Sequence, residues 1–193
     1  MNFLAHLWLA DRTSTSLAGA VLGDVVRGSD LSAYPPDIAE GIRLHRHVDA
    51  ATDRHPLMRE ARQLWPDGER RYAGILLDLA SDFALSHDWP AFAAEPLAMF
   101  QQRAAEAMAA AASWFLLAGG RATTAPAFAS LLASYATEAG IDDAIRRTAT
   151  RLKQPAPLLQ AGTRWRLAVP LLRAGLPGLL DDLTAVAGHS RTH

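Results

Sequence analysis

The first half of the chain repeats imidazoles and carboxylates at helical spacing. His45, Asp49 and Asp53 follow at four-residue steps, and Asp78 and Asp82 repeat that step. Four residues is about one helical turn, so each series falls on one face. At roughly 100° per residue, Ile38, Ile42, His45, Asp49 and Asp53 share an arc about 80° wide. Arg43, His47 and Arg54 point elsewhere. A face that carries two isoleucines turns inward, and burying an unpaired carboxylate there is costly. A divalent cation compensates such charge, because His and Asp are ordinary ligands for one. The alternative is a His–Asp pair that bonds only to itself. For this helix taken alone, the two readings are equally supported.

The elements that carry these residues can be read in order. Pro35-Pro36 opens the central helix, Asp37 is its expected cap, and Pro56 stops it. Residues 3–10 form a short helix, apolar on most sides, with His6 inside it. A lone buried His is more often a satisfied core residue than a ligand. Thr13 to Ser16 caps a helix expected to run to about Arg27. Leu17, Ala20, Val21, Asp24 and Gly28 share one of its faces, and Gly19 and Gly23 let another helix come close. A short helix spans Leu57 to Trp65. A long one from Glu69 to about Asp88 presents Ile75, Asp78, Asp82 and Leu85 together. Two like charges one turn apart suit a shared cation, or one of them is protonated.

Beyond Pro90 the chain is rich in alanine and aromatic residues. Helices are expected over 95–118, 124–138, 141–152, 158–172 and 178–187, with a frayed tail at 188–193. Few inward charges occur there, which assigns the chemistry to the first 90 residues. No alternating strand pattern is present. The fold class is therefore all-α: one helical bundle, with 1–90 supplying metal-site helices and 91–187 packing helices.

Composition narrows the function. The chain has 193 residues, half of them hydrophobic and 20% charged, enough for one good-sized core. Having no cysteine, it has no disulfide, thiolate metal site or cysteine nucleophile. A formal charge of −1 gives no case for nucleic-acid binding. Lys153 is the one lysine among 19 basic residues, and arginine suits phosphates and carboxylates. The apolar start lacks a basic lead and reads poorly as a signal peptide, and no stretch spans a bilayer comfortably. A cytoplasmic protein without membrane partners is expected. His6, Asp24, His45, Asp49, Asp53, Asp78 and Asp82 together suit Mn²⁺, Mg²⁺ or Fe²⁺. The chemistry they point to is metal-dependent hydrolysis of a phosphoester.

Several segments carry a family resemblance. They are Met1 to Leu7, Gly23 to Gly28, Tyr34-Pro35-Pro36, Gly41 to Asp49, Thr52 to Pro56, and Arg70 to Asp78. In order and spacing they resemble the acyl carrier protein phosphodiesterase family, a branch of the HD-type metal-dependent hydrolases. The resemblance covers about the first 90 residues. It implies an HD-domain-like fold, manganese as the preferred cation, and removal of 4′-phosphopantetheine from the serine of holo-acyl carrier protein. It further implies that Asp24, His45, Asp49 and Asp78 bind metal or activate water. His6, Asp53 and Asp82 would support them, with Arg27 and Arg46 near the phosphates.

Two positions depart from the family pattern. Phe83 stands where a His usually follows the aspartate, and Trp8 replaces the second His of His-Leu-His. If the missing His is a ligand or acid, the activity is impaired or lost. Three readings follow: the phosphodiesterase, a phosphohydrolase on a different small phosphoester, and a carrier-binding homologue without activity. An acidic carrier protein would be steered by Arg43, Arg46, Arg54, Arg59, Arg62, Arg70 and Arg71. The alternative is that these arginines are solvated helix faces paired with Glu40, Glu60 and Glu69.

Overall fold

A computed structural model describes residues 1–189, in which eleven α-helices form one body with no strands. Helix α1 (Phe3–Arg12) is buried from Leu4 through Ala10. Its Asn2 cap position makes no side-chain capping bond. The free amides of its first turn are met from across the fold, where Asp82 accepts from Leu4 N at 2.8 Å and Ala5 N at 3.2 Å. A carboxylate at a helix N-terminus satisfies orphan donors and complements the helix dipole.

Helix α2 (Leu17–Leu22) starts at Ser16, whose hydroxyl accepts from Gly19 N. It ends five residues before the expected Arg27. The chain tightens at Gly23, with Asp24 N bonding Val21 O and Val25 N bonding Leu22 O. Such three-residue bonds are those of a 3₁₀ turn, and they swing Asp24 off the helix. Helix α3 (Pro36–Arg54) follows. Asp37 sits in its first turn but does not cap it; Pro35 holds the cap position and has no side-chain donor or acceptor to offer. α2 and α3 cross through glycine. A β-carbon on Gly19 would lie 2.5 Å from Ile38 O and 2.9 Å from Gly41 Cα.

Helix α4 (Pro56–Ala61) and a 3₁₀ turn at Arg62–Leu64 carry the chain to α5. A second 3₁₀ turn at Arg70–Tyr72 leads into α5 (Ala73–His87), so the regular helix begins later than Glu69. The expected 95–118 helix divides at Ala111 into α6 (Leu97–Ala110) and α7 (Ala112–Leu117). Then come α8 (Ala125–Ser134), α9 (Glu138–Ala149), α10 (Ala156–Gly162) and α11 (Val169–His189). Pro177-Gly178 does not break α11 as expected. An interior proline costs about 3 kcal/mol. Here Leu172, Leu176, Leu179, Leu180, Leu183 and Ala187 are all buried against α1, α3 and α5, and that burial outweighs it. Of the tail expected at 188–193, residues 190–193 lie outside the described residues. No helix among the described residues is long and apolar enough to cross a membrane.

Gly19→Val should lower the unfolding free energy in urea by about 1–3 kcal/mol, the usual cost of overpacking; unchanged stability would contradict the close crossing. Burial raises the Asp82 carboxyl against the pull of the Leu4 and Ala5 amides, to about 7 from 3.8. The folded chain then holds a proton that the unfolded chain releases between those values. Stability from this group should therefore fall as pH rises from about 4 to about 7. Asp82→Asn should remove that part of the pH dependence, read from urea unfolding across this window; an identical profile would contradict it.

Candidate metal centre

His45 is the most constrained side chain of the centre. It lies on the buried face of α3, and its Nδ1 is 2.7 Å from the carbonyl oxygen of Ala20 in α2. A carbonyl can only accept, so Nδ1 carries the hydrogen. The other nitrogen, Nε2, then faces 3.1 Å toward Asp49 Oδ2 and 3.4 Å toward Asp24 Oδ1. A bare nitrogen lone pair against two carboxylates is unfavourable. Either a proton or a metal ion has to lie between them. In the metal-free chain a proton does so. Burial works against the charged ring, but hydrogen bonds to Asp24 and Asp49 and their charges raise its pKa to about 9. The ring fits only because Gly23 lacks a side chain: a β-carbon there would lie 2.3 Å from His45 Cγ.

His6 completes the group from α1. Its ring stacks on that of His45 with centroids 4.0 Å apart, and its Nε2 is 3.0 Å from Asp49 Oδ1. Burial lowers its pKa to about 4 despite that bond, so the ring is neutral and available as a ligand. Its Nδ1 is buried with no partner. Burial would raise Asp49, yet the two histidines and the nearby amino group hold it well below the ordinary carboxylate range. The Met1 amino nitrogen lies 3.2 Å from Asp49 Oδ1 and 3.3 Å from Asp78 Oδ1. One atom from each of His6, His45 and Asp49 lies within 4.8 Å of the others, so this buried group could hold a metal. Two imidazoles and a carboxylate, with Asp24 against His45, are a fitting donor set for a first-row divalent cation. The Ala20 carbonyl would be the outer contact that orients His45 as a ligand.

The remaining candidates fall in different places. Asp24 and Asp78 line a cleft of about 800 Å³ beside the group. Asp82 is given to the α1 amides, so α1 itself compensates a charge for which a cation was expected. Asp53 is not brought to the group; it is exposed and paired with Arg62. Arg46 donates from Nη2 to Val26 O at 2.9 Å, bracing the segment just after the turn that carries Asp24, and Arg27, the next residue, is exposed.

The two departures from the family pattern also find their places. Phe83 packs its ring 5.0 Å from that of Trp165 and 4.1 Å from that of His87. Trp8 bonds to Phe92 O and packs edge-on against the Phe92 ring.

Some contributors escaped the sequence reading. The Ala20 carbonyl has no signature in a sequence. Arg121, Arg147 and Arg151 line the same cleft as Asp24 and Asp78, so residues beyond the first 90 reach this cleft. The four-residue step from Arg147 to Arg151 was the available signal.

The family model described as acyl carrier protein phosphodiesterase matches residues 1–173. The acyl carrier protein phosphodiesterases of Salmonella agona (strain SL483) and Salmonella newport (strain SL254) are each 49% identical over 89 residues. That match is 46% of this chain and 46% of each relative, so the chain spans about half the length of the curated relatives it matches. No solved structure matches the chain. A family match over nine-tenths of the length gives the conclusion: the chain belongs to the acyl carrier protein phosphodiesterase family.

Proposed function

We propose that this chain is a metal-dependent phosphodiesterase acting on holo-acyl carrier protein. Water replaces the serine oxygen at phosphorus, the serine–phosphate bond breaks, and apo-carrier protein and 4′-phosphopantetheine are released. The observation that carries this reading is His45, whose Nδ1 is committed to Ala20 O and whose Nε2 is aimed at two carboxylates. That arrangement is how a ligating imidazole is held.

His6, His45 and Asp49 would hold the cation, and Mn²⁺ is the ion we propose. When bound, it neutralises phosphoryl charge and lowers the pKa of water. Asp24 and Asp78, at the cleft wall, would accept the proton of an attacking water. Arg27, on the turn beside Asp24, is free to meet a phosphate oxygen. The carrier protein is acidic, and Arg43, Arg54, Arg59 and Arg71 are exposed on the same half of the chain. Raising salt should therefore slow the reaction.

Phe83 does not weigh against activity, because its ring turns toward Trp165 rather than the polar group. Phe83→His should leave turnover unchanged; a large gain would mean that the family His works from this position.

Purified protein incubated with holo-acyl carrier protein and Mn²⁺ should convert the carrier to its apo mass. Chelator should stop the reaction, and Asp49→Ala should slow it by about 100-fold or more, the scale of losing a catalytic group. Metal binding without cleavage of the carrier would redirect the proposal to another phosphoester. Neither cleavage nor metal binding would end the enzyme reading.

A further inference from the structure

The cleft beside the metal centre is lined by both halves of the chain. Asp24 and Asp78 come from the first half, and Arg121, Arg147 and Arg151 from the second. The pairing of the arginines separates these three from their neighbours. Arg103 binds Asp11 and Glu95, and Arg146 binds Asp143. Arg164 binds Glu69, Arg166 binds Glu138 and Asp142, and Arg173 binds Asp88. Among the described residues beyond 100, the arginines without a carboxylate partner are the three that line the cleft. The lining carries three guanidinium groups against two carboxylates, an excess of positive charge that an anion would meet.

The cavity is larger than a phosphate needs. At about 800 Å³ it falls within the range of sites that enclose a whole small ligand. Its other walls include Phe3, Phe128 and Leu131. A cavity whose walls carry both charged side chains and large apolar ones suits a molecule with a charged head and a long uncharged arm. The turn that carries Arg121 is fixed to the metal side. Gly119 has φ +76°, and a β-carbon on Gly120 would lie 2.7 Å from Val25, the residue after Asp24. Arg121 is thereby tied to the segment that presents Asp24.

We infer that Arg121, Arg147 and Arg151 bind the phosphate of a phosphate monoester or diester whose extended, uncharged arm lies along Phe128 and Leu131. This rests on the phosphoester chemistry proposed above, and it assigns recognition of the arm to the C-terminal half. For the proposed substrate, the arm is 4′-phosphopantetheine. The arginines select the phosphate and the apolar wall selects the arm.

The test is calorimetric titration of the full chain, with and without Mn²⁺, using free 4′-phosphopantetheine and pantetheine as probes. The phosphorylated probe should bind at least about tenfold more tightly, also without metal, which is the scale of one charge-assisted contact. Arg147→Gln and Arg151→Gln should each remove about tenfold of the affinity for 4′-phosphopantetheine and leave pantetheine unaffected. Leu131→Gln should weaken both probes alike. Arg146→Gln, next in sequence but paired with Asp143, should change neither. Equal binding of the two probes, or a phosphate preference that survives Arg147→Gln and Arg151→Gln, would overturn the inference. Cleavage of the carrier together with such a result removes the arginine assignment alone. A phosphate preference without cleavage keeps the arginines and removes the proposed reaction.

Discussion

Everything at the polar centre depends on one hydrogen bond, from His45 Nδ1 to the carbonyl of Ala20. It exists because α2 and α3 approach as closely as backbones allow, glycine against glycine, with Gly23 leaving room for the ring. The bond fixes which imidazole nitrogen carries hydrogen, and so fixes what Nε2 can do. With Nε2 held against Asp49 and Asp24, the site has a standing requirement for positive charge. In this chain a proton on His45 and the amino group of Met1 meet it. A divalent cation would meet it with better geometry, and would displace the proton on binding.

The fold answers its buried charges in two different ways. Asp82 is turned to the amides that open α1, which spends a carboxylate on anchoring the helix that carries His6. Asp49 is left among groups that can exchange one cation for another. The first arrangement is closed, since both acceptors are used by backbone donors. The second is open on the cleft side, where Asp24 and Asp78 face the cavity. The two aspartates lie on different helices, yet α1 joins them. Asp82 positions its first turn, and His6, the next residue after Ala5, then reaches Asp49.

Much of this was legible in the sequence. Periodicity identified the all-α class and put His45 and Asp49 on the buried face of α3 beside Ile38 and Ile42. The same wheel placed Asp53 there too, but the buried face of α3 runs through Val48 and Thr52, and Asp53, to one side of it, is exposed and meets Arg62. Helix ends were less legible. Proline and glycine stopped α3 at Pro56 but not α11 at Pro177, because six buried side chains hold α11 in place through the proline. The Ala20 carbonyl was invisible, as any backbone contact is before the crossing of two helices is known. The arginines of the cleft were overlooked because periodicity finds apolar faces, whereas Arg121, Arg147 and Arg151 are exposed.

The most direct measurement is anomalous diffraction at the manganese edge from crystals of the chain grown with Mn²⁺. One strong peak is expected about 2.2 Å from His45 Nε2 and from an Asp49 oxygen, ordinary distances for such ligands. The Nδ1 bond to Ala20 should remain intact and His6 should lie within reach of the ion. A peak elsewhere, with His45 Nε2 still bonded only to Asp49 and Asp24, would contradict it.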